Sequence, residues 1–443
     1  MAPRSAKAAS TAGVKNQTLV IDNGAFTIKA GVVASSPTIE DCKVIPNCIA
    51  KDSVKKVWVG SQLDQCKDFG EMAFRRPVEK GYLVNWEAER AIWGHSFLAE
   101  NAVAKCDPHE TNLLLTEAPN CPQALQTNTD QIIFEEFEYA SYCRTLAPTL
   151  NAYNDIPSLF GGPSSGDSSQ GPAECLLVVD SGYSHTTVTP LINGHPVQQA
   201  IRRLDIGGKF LTNYLKEQLS IRAFYAMDET WIVNEIKEAT SFVSDNFSRD
   251  LERTWKGGKT DRRSMDPSLL VDYVLPDFES TFRGVVRPYD HTTPKMNSRA
   301  PVTSASRDKI VTLGNERFAA PELLFNPSDV GMKEAGLPAV IIESVNALPL
   351  GLRPSMFANT IVVGGNALIP GFLERLRREV RELTPSEYDV RIASPEDPIR
   401  STWLGGARLA AQHQNLANIL VTRKEYLEHG ASWLLRRFAT HGP

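Results

Sequence analysis

The sequence predicts an α/β fold made of two similar halves set across a cleft, and three observations carry that prediction. A short apolar run ending in Asp-x-Gly occurs twice, as LVIDNG (19–24) and LVVDSG (177–182). A third apolar run, TIVVGG (360–365), also closes on glycine. Between these strand-like runs lie stretches with helical periodicity, and that alternation belongs to α/β architecture.

In each repeat about four β-prone residues deliver an aspartate to the strand end, and the glycine two positions later permits a tight turn, so each copy opens a hairpin. The offset of 158 residues from Leu19 to Leu177 sets two similar domains apart. Helical periodicity is clearest at 230–243, where Ile232, Ile236, Ala239 and Val243 share a face. It recurs at 372–383, where Phe372, Leu373, Leu376, Val380 and Leu383 share one face and Arg375, Arg377, Arg378 and Arg381 decorate the polar side of a surface helix. In GGNALIPGF (364–372) the paired glycines admit backbone close to a flat ligand, and Pro370–Gly371 ends the loop before that helix. The Gly/Ser/Pro-rich stretch 156–174 reads as a surface loop between the halves. A weakly patterned stretch, 256–308, reads as an insertion interrupted by the more apolar LLVDYVLPDF. The expected division is a disordered tail at 1–16, a first half from 17–155 plus 388–443, and a second half at 175–387 that carries the insertion.

Composition excludes several classes. A chain of 443 residues, 42% hydrophobic and 22% charged, is a soluble globular protein with ample sequence for a core. Its apolar runs fall far short of the roughly 18 residues a membrane helix requires. The Ala/Ser-rich start holds no apolar block that could serve as a signal-peptide core. A formal charge of −5 argues against a general polyanion binder. The local basic cluster RTWKGGKTDRR (253–263) reads either as a patch for phosphates or an acidic surface, or as a solvated loop. Seven cysteines without a CxxC pair point to a reduced compartment, cytosol or nucleus.

Two facing Asp-Gly turns have a chemical use. They can present backbone N–H groups to a polyphosphate while two carboxylates, Asp22 and Asp180, hold Mg²⁺ through its waters. A lone Asp-x-Gly is a common turn. The pairing, with the third glycine motif, is what points to a ligand. His185, beside the second turn, has no identifiable Ser or Cys partner and reads as packing or hydrogen bonding rather than catalysis.

In order along the chain, DNGAFTIKAG (22–31), FRRPVEKGYLVNWE (74–87), LLLTEAP (113–119), VVDSGYSHTTVTP (178–190), GNERFAAPELLF (314–325), GGNALIPGF and TWLGGARLAA (402–411) resemble the actin family. DIGGKFLTNYLKE (205–217), DYVLPDF (272–278) and FNPSDVGMKEAG (325–336) further resemble a nuclear branch of the actin-related proteins. The resemblance implies the actin-like fold, four subdomains around a nucleotide cleft, with ATP or ADP and Mg²⁺ as the expected ligand, or none. Carried over by position, it implies nucleotide contact at Asp22, Gly24, Lys29, Asp180 and Gly182 on the phosphate side. On the base side it implies Gly208, Lys237, Glu238, Gly364, Gly365 and Asn366, although Lys237–Glu238 alone reads equally well as a solvated helix pair.

The pattern departs from actin at the phosphates. Actin's Ser-Gly after the first turn is Ala25–Phe26, its Asp-Gly in the second is Tyr183–Ser184, and its water-orienting glutamine aligns with Ala147. A hydroxyl donor is lost, bulk is added, and no side chain remains to place the attacking water. Orienting that water is among the few things a protein supplies to phosphoryl transfer, so hydrolysis is expected to be slow or absent. The chain is also shorter than actin between VIPNC (44–48) and KVWVG (56–60), where actin carries a filament loop, and Asp329–Val330 replaces an apolar filament contact. No actin-like filament is therefore expected. The nuclear branch implies a non-catalytic subunit of an SWR-type chromatin remodeller, which exchanges a variant histone into nucleosomes. Its implied partners are a large remodeller ATPase subunit, a small zinc-finger subunit and nucleosomal DNA or histones. The stretches 156–174 and 256–308 exceed the actin pattern and read as family-specific surfaces or as tolerated loops. Two other readings stay open: a working ATPase or phosphotransferase of the superfamily that includes sugar kinases and Hsp70-type chaperones, and a polymerising cytoskeletal protein.

Overall fold

Both Asp-x-Gly repeats fold into hairpins, Gln17–Asn23 with Thr27–Val32 and Cys175–Ser181 with Thr186–Ile192. The structure, a computed structural model, describes residues 17–70, 72–163, 171–254, 265–293 and 309–441. The expected tail, residues 164–170 of the loop, 294–308 of the insertion and Trp255–Arg263 of the basic cluster lie outside the described residues.

Each hairpin joins its sheet by the first strand, in the same order. Gln17–Asn23 lies parallel to Thr111–Glu117, which lies parallel to Ser141–Leu146. Cys175–Ser181 likewise lies parallel to Thr360–Val363, which lies parallel to Ile392–Ala393. The repeated sequence thus reports a repeated topology. Register sets Asp22 opposite Lys29 and Asp180 opposite Thr187, so the two carboxylates occupy matching points at the carboxyl ends of parallel strands. Open α/β sheets place ligands at that end.

Runs of consecutive apolar residues, Leu19–Ile21 and Leu176–Val179, are fully buried because both faces of each sheet are covered. The helix Ser401–Ala411 covers the first sheet, where the Trp403 indole donates to the Val20 carbonyl at 3.1 Å. Gly405 lets the same helix meet the short helix Ala147–Leu150, since a Cβ there would overlap the Leu150 carbonyl. The chain leaves the second sheet after Ile392–Ala393, later than the expected return at 388.

The helix expected at 230–243 is shorter, Thr230–Thr240. Thr240 Oγ1 donates to the Ile236 carbonyl at 2.7 Å, and Arg317 Nε takes the Thr240 carbonyl at 3.0 Å, so the last turn is satisfied there. Val233 joins Ile232 and Ile236 on the buried face, whereas Ala239 is exposed and Val243 packs in a different cluster beyond the helix. The helix Phe372–Leu383 has the expected bounds, but its arginines are not a solvated face. Arg375 is buried and bonds Glu322 and the Ser244 carbonyl, and Arg377 donates to the Ile392 carbonyl at 2.7 Å. Arg378 pairs with Asp245 and Arg381 with the Tyr388 and Thr384 carbonyls, so this helix is stapled to its neighbours.

Within the expected insertion, Val271–Val274 is the middle of a three-stranded antiparallel sheet with Val285–Pro288 and Ile310–Leu313. Its Tyr273 packs with Leu215, Leu219 and Ile236, so this sheet is part of the second half's core. Arg253 of the basic cluster is paired with Asp266 and Asp250. Where actin carries its filament loop, Ile49–Lys51 and Val57–Val59 are joined by a tight turn closed by Asp52, which accepts from the Lys56 amide at 2.8 Å and the Trp58 indole at 3.1 Å. All seven cysteines are free thiols. Among the described residues no helix is long and apolar enough to cross a membrane.

Candidate functional site

The two hairpin turns and the third glycine motif meet around a cavity of about 460 Å³, and every residue nominated for ligand contact lines it: Asp22, Gly24, Lys29, Asp180, Gly182, Gly208, Lys237, Glu238, Gly364, Gly365 and Asn366. Asp22 is buried and doubly engaged, accepting from Thr116 Oγ1 at 2.9 Å and pairing with Lys29 Nζ at 3.1 Å. Burial alone would lower the pKa of Lys29, but Asp22, with Asp180 further off, outweighs it and raises it. Asp180 is pushed up to about 6, first by burial and then by the like charge of Asp22, with Lys29 acting in the opposite sense. These carboxylates are hard oxygen donors whose mutual repulsion a cation would relieve, which fits Mg²⁺ held through water.

On the other side the residues divide into those that open the cavity and those that build its wall. Gly364 has φ +92°, and a Cβ there would overlap the Ser181 carbonyl. At Gly365 a Cβ would meet nothing within 4 Å, so this glycine opens onto the cavity and leaves room for a flat group. Asn366 serves the wall: its amide donates to the Gly182 carbonyl at 2.9 Å and Ser181 Oγ at 3.1 Å, pinning the second turn. The Gly208 amide donates to the same Gly182 carbonyl at 3.0 Å. Lys237 is no solvated partner of Glu238. It is buried, and its ammonium is spent on Asn234 Oδ1 at 2.9 Å, Thr212 Oγ1 at 3.0 Å and the Gly208 carbonyl at 3.2 Å. Burial lowers it to about 8. Glu238 is exposed and accepts from Asn234 at 2.8 Å.

Ala147 lines the cavity at the start of a short helix, and its methyl offers nothing to a water. His185 lines the cavity, with its Nδ1 buried and without a hydrogen-bond partner among the described residues. Its ring lies against Gly81 of the other half, where a Cβ would overlap it, and burial followed by Arg203 lowers it to about 4. Arg203 also donates to the Lys80 carbonyl at 2.7 Å, a second tie between the halves. Residues missed from sequence include Thr116, which orients Asp22, and Glu117, pushed up to about 7 by burial. Their signal was available, since LLLTEAP is a third strand ending at the same cleft.

Beneath the first turn lies Glu89, fully buried, accepting from the Trp93 indole at 2.8 Å. Burial pushes it up to about 7, against the lowering effect of Asn23, Trp93 and Asn47. A raised carboxyl pKa means the fold binds this proton more tightly than the unfolded chain does, so stability falls as pH rises from the ordinary value of 4.5 through about 7. Glu89→Gln keeps the acceptor for Trp93 and removes the titration. It is expected to raise unfolding free energy by about 2–3 kcal/mol near pH 8, and by little near pH 5, in urea denaturation.

The sequence model of the actin family matches residues 13–439. A protein of Aspergillus fumigatus named actin-like protein arp6 is 50% identical over 462 aligned residues, covering 99% of this chain and 98% of the relative. An actin-related protein 6 of Neurospora crassa is 51% identical, covering 95% and 94%. One of Drosophila melanogaster is 35% identical, covering 95% of this chain and 100% of the relative. With the paired hairpins and the cleft between them, these matches make the assignment: the chain belongs to the actin family, in its actin-related protein 6 branch.

Proposed function

We propose that this chain is a non-catalytic, nuclear subunit of an ATP-dependent chromatin-remodelling complex that exchanges a variant histone into nucleosomes, with the actin fold serving as a docking body. The observation that carries the non-catalytic reading is Ala147 in the cavity wall, where the resemblance places actin's water-orienting glutamine. Without a polar side chain there, little remains to hold an attacking water in line. The cleft keeps Lys29, Asp22, Asp180 and the open face at Gly365, a set suited to ATP or ADP with Mg²⁺ as a ligand that stabilises the joined halves by mass action. The partner reading rests on the family branch, and its partners are the large remodeller ATPase subunit, a small zinc-finger subunit and the nucleosome. The tight turn at 52–56 and the exposed Asp329 favour a body held within a complex over a filament subunit.

The purified chain is expected to release no phosphate from Mg-ATP above the buffer blank. A complex assembled without it is expected to lose histone exchange while the large subunit retains basal ATPase activity. Rapid turnover by the isolated chain, or full exchange in its absence, would overturn the proposal.

A further inference from the structure

Phe26 and Tyr183 stand at the tips of the two turns, one from each half, and their ring centroids are 4.8 Å apart at a tilt of 38°. The Arg76 guanidinium, from the first half, lies 4.5 Å from the Phe26 centroid and 5.1 Å from that of Tyr183. Arg76 is itself fixed, donating Nη1 to the Phe26 carbonyl at 3.1 Å and the Asn47 carbonyl at 3.3 Å. Both rings line two separate cavities, the cleft of about 460 Å³ and an outer one of about 210 Å³. The ring pair, with Glu238, therefore stands between them. Further out, Phe69 of the first half stacks on Trp231 of the second, with centroids 4.0 Å apart and planes within 10°.

We propose that the Phe26–Tyr183 pair beneath Arg76 is a gate: it latches the halves together through contacts of the chain itself, and it must part for a nucleoside polyphosphate to pass between the outer cavity and the cleft. Tilted ring pairs and a guanidinium over a ring face are each favourable beyond the area they bury, and neither glycine nor aspartate could supply them. The rings thus join the tips of the two turns by a protein-to-protein contact. The proposal rests on the nucleotide reading only for the identity of what passes, because the latch is defined by protein contacts.

The test uses the full chain, stripped of nucleotide with apyrase and EDTA, as wild type, Tyr183→Ala, Phe26→Ala/Tyr183→Ala and Tyr183→Phe. Hydrogen–deuterium exchange at residues 23–27 and 181–186 is expected to quicken about tenfold or more in the alanine variants. Tyr183→Phe is expected to lie between wild type and the alanine variants, because the ring contact stays and the hydroxyl's interaction with Arg76 is lost. Dissociation of a fluorescent ATP analogue into excess ATP is expected to quicken by a similar factor in Tyr183→Ala. Wild-type turns that exchange as fast as the alanine variants overturn the latch, and an unchanged dissociation rate overturns the gate. A wild type that keeps its protection yet binds no nucleotide sustains the latch and overturns the nucleotide reading of the cleft. If the double variant does not fold, Tyr183→Ala alone decides.

Discussion

Replacing Arg144 with leucine is expected to cost about 3–5 kcal/mol of unfolding free energy, because it strands the fully buried carboxylate of Asp130 and takes the cation from the half-buried Glu117. Arg144 is 5% exposed; its Nη1 lies 2.6 Å from both oxygens of the fully buried Asp130, and its Nε lies 3.4 Å from Glu117. Burial already pushes Asp130 up to about 6 and Glu117 up to about 7 even with the guanidinium in place. The guanidinium also lies 5.0 Å from the Phe438 ring, so the substitution loosens the C-terminal helix Ala431–His441. A surface ion pair would contribute about 1 kcal/mol or less, and burial is what separates the two cases. The double variant Arg144→Leu/Asp130→Leu is expected to recover much of the loss, since replacing both partners of a buried pair by apolar groups is often near neutral. Urea denaturation of the three proteins checks this. A loss below about 1 kcal/mol for Arg144→Leu would show that the ion cluster is not what holds the strand.

The parts of this cleft that were legible in the sequence are those fixed by local rules. Consecutive apolar runs closed by Asp-x-Gly placed Asp22, Gly24, Asp180 and Gly182 at two hairpin ends; at Gly24 a Cβ would overlap the Thr27 carbonyl, whereas at Gly182 it would meet only ordinary contacts. Family resemblance supplied the base-side residues but not their work. Lys237 bonds Thr212 and Gly208, residues 25 and 29 positions away, and Asn366 reaches back 184 residues to Gly182, so neither role could be read from neighbours. The same holds for the gate. The added bulk at Phe26 and Tyr183 was visible, but their contact, with Arg76 as third member, joins three distant stretches. The arginines of Phe372–Leu383 looked solvated because helical periodicity reports which face is apolar and says nothing of carbonyls on neighbouring elements. The small sheet inside the expected insertion was missed for a related reason. Val285 and Val286 are exposed on an edge strand, and the other buried run of the sheet, Ile310–Leu313, lies past the expected end of the insertion at 308, so within 256–308 only Val271–Val274 carried a signal.

Lys29→Met carries the other large effect, and pH gives it a sign. Lys29 is the cation that sits 3.1 Å from Asp22 and lowers the pKa of Asp180. Its loss leaves the buried carboxylate of Asp22 and the half-buried one of Asp180 without their cation, at a cost of about 3 kcal/mol by analogy with other broken buried pairs. In the wild type the folded pKa of Asp180, about 6, already exceeds its ordinary 3.8, so this group takes stability away as pH rises through that window. Without Lys29 the folded value climbs further and the loss extends to higher pH. The deficit of Lys29→Met is therefore expected to be largest near pH 8 and to shrink towards pH 5, where one carboxyl is protonated and the repulsion is relieved. A divalent cation that bridges the pair through water relieves it in the same way, so millimolar Mg²⁺ is expected to raise the melting temperature of the variant more than that of the wild type. Thermal unfolding at both pH values, with and without Mg²⁺, separates the possibilities. A deficit independent of pH would mean that Lys29 acts by packing its stem. A pH-dependent deficit indifferent to Mg²⁺ would keep the electrostatic account and remove the metal site from Asp22 and Asp180.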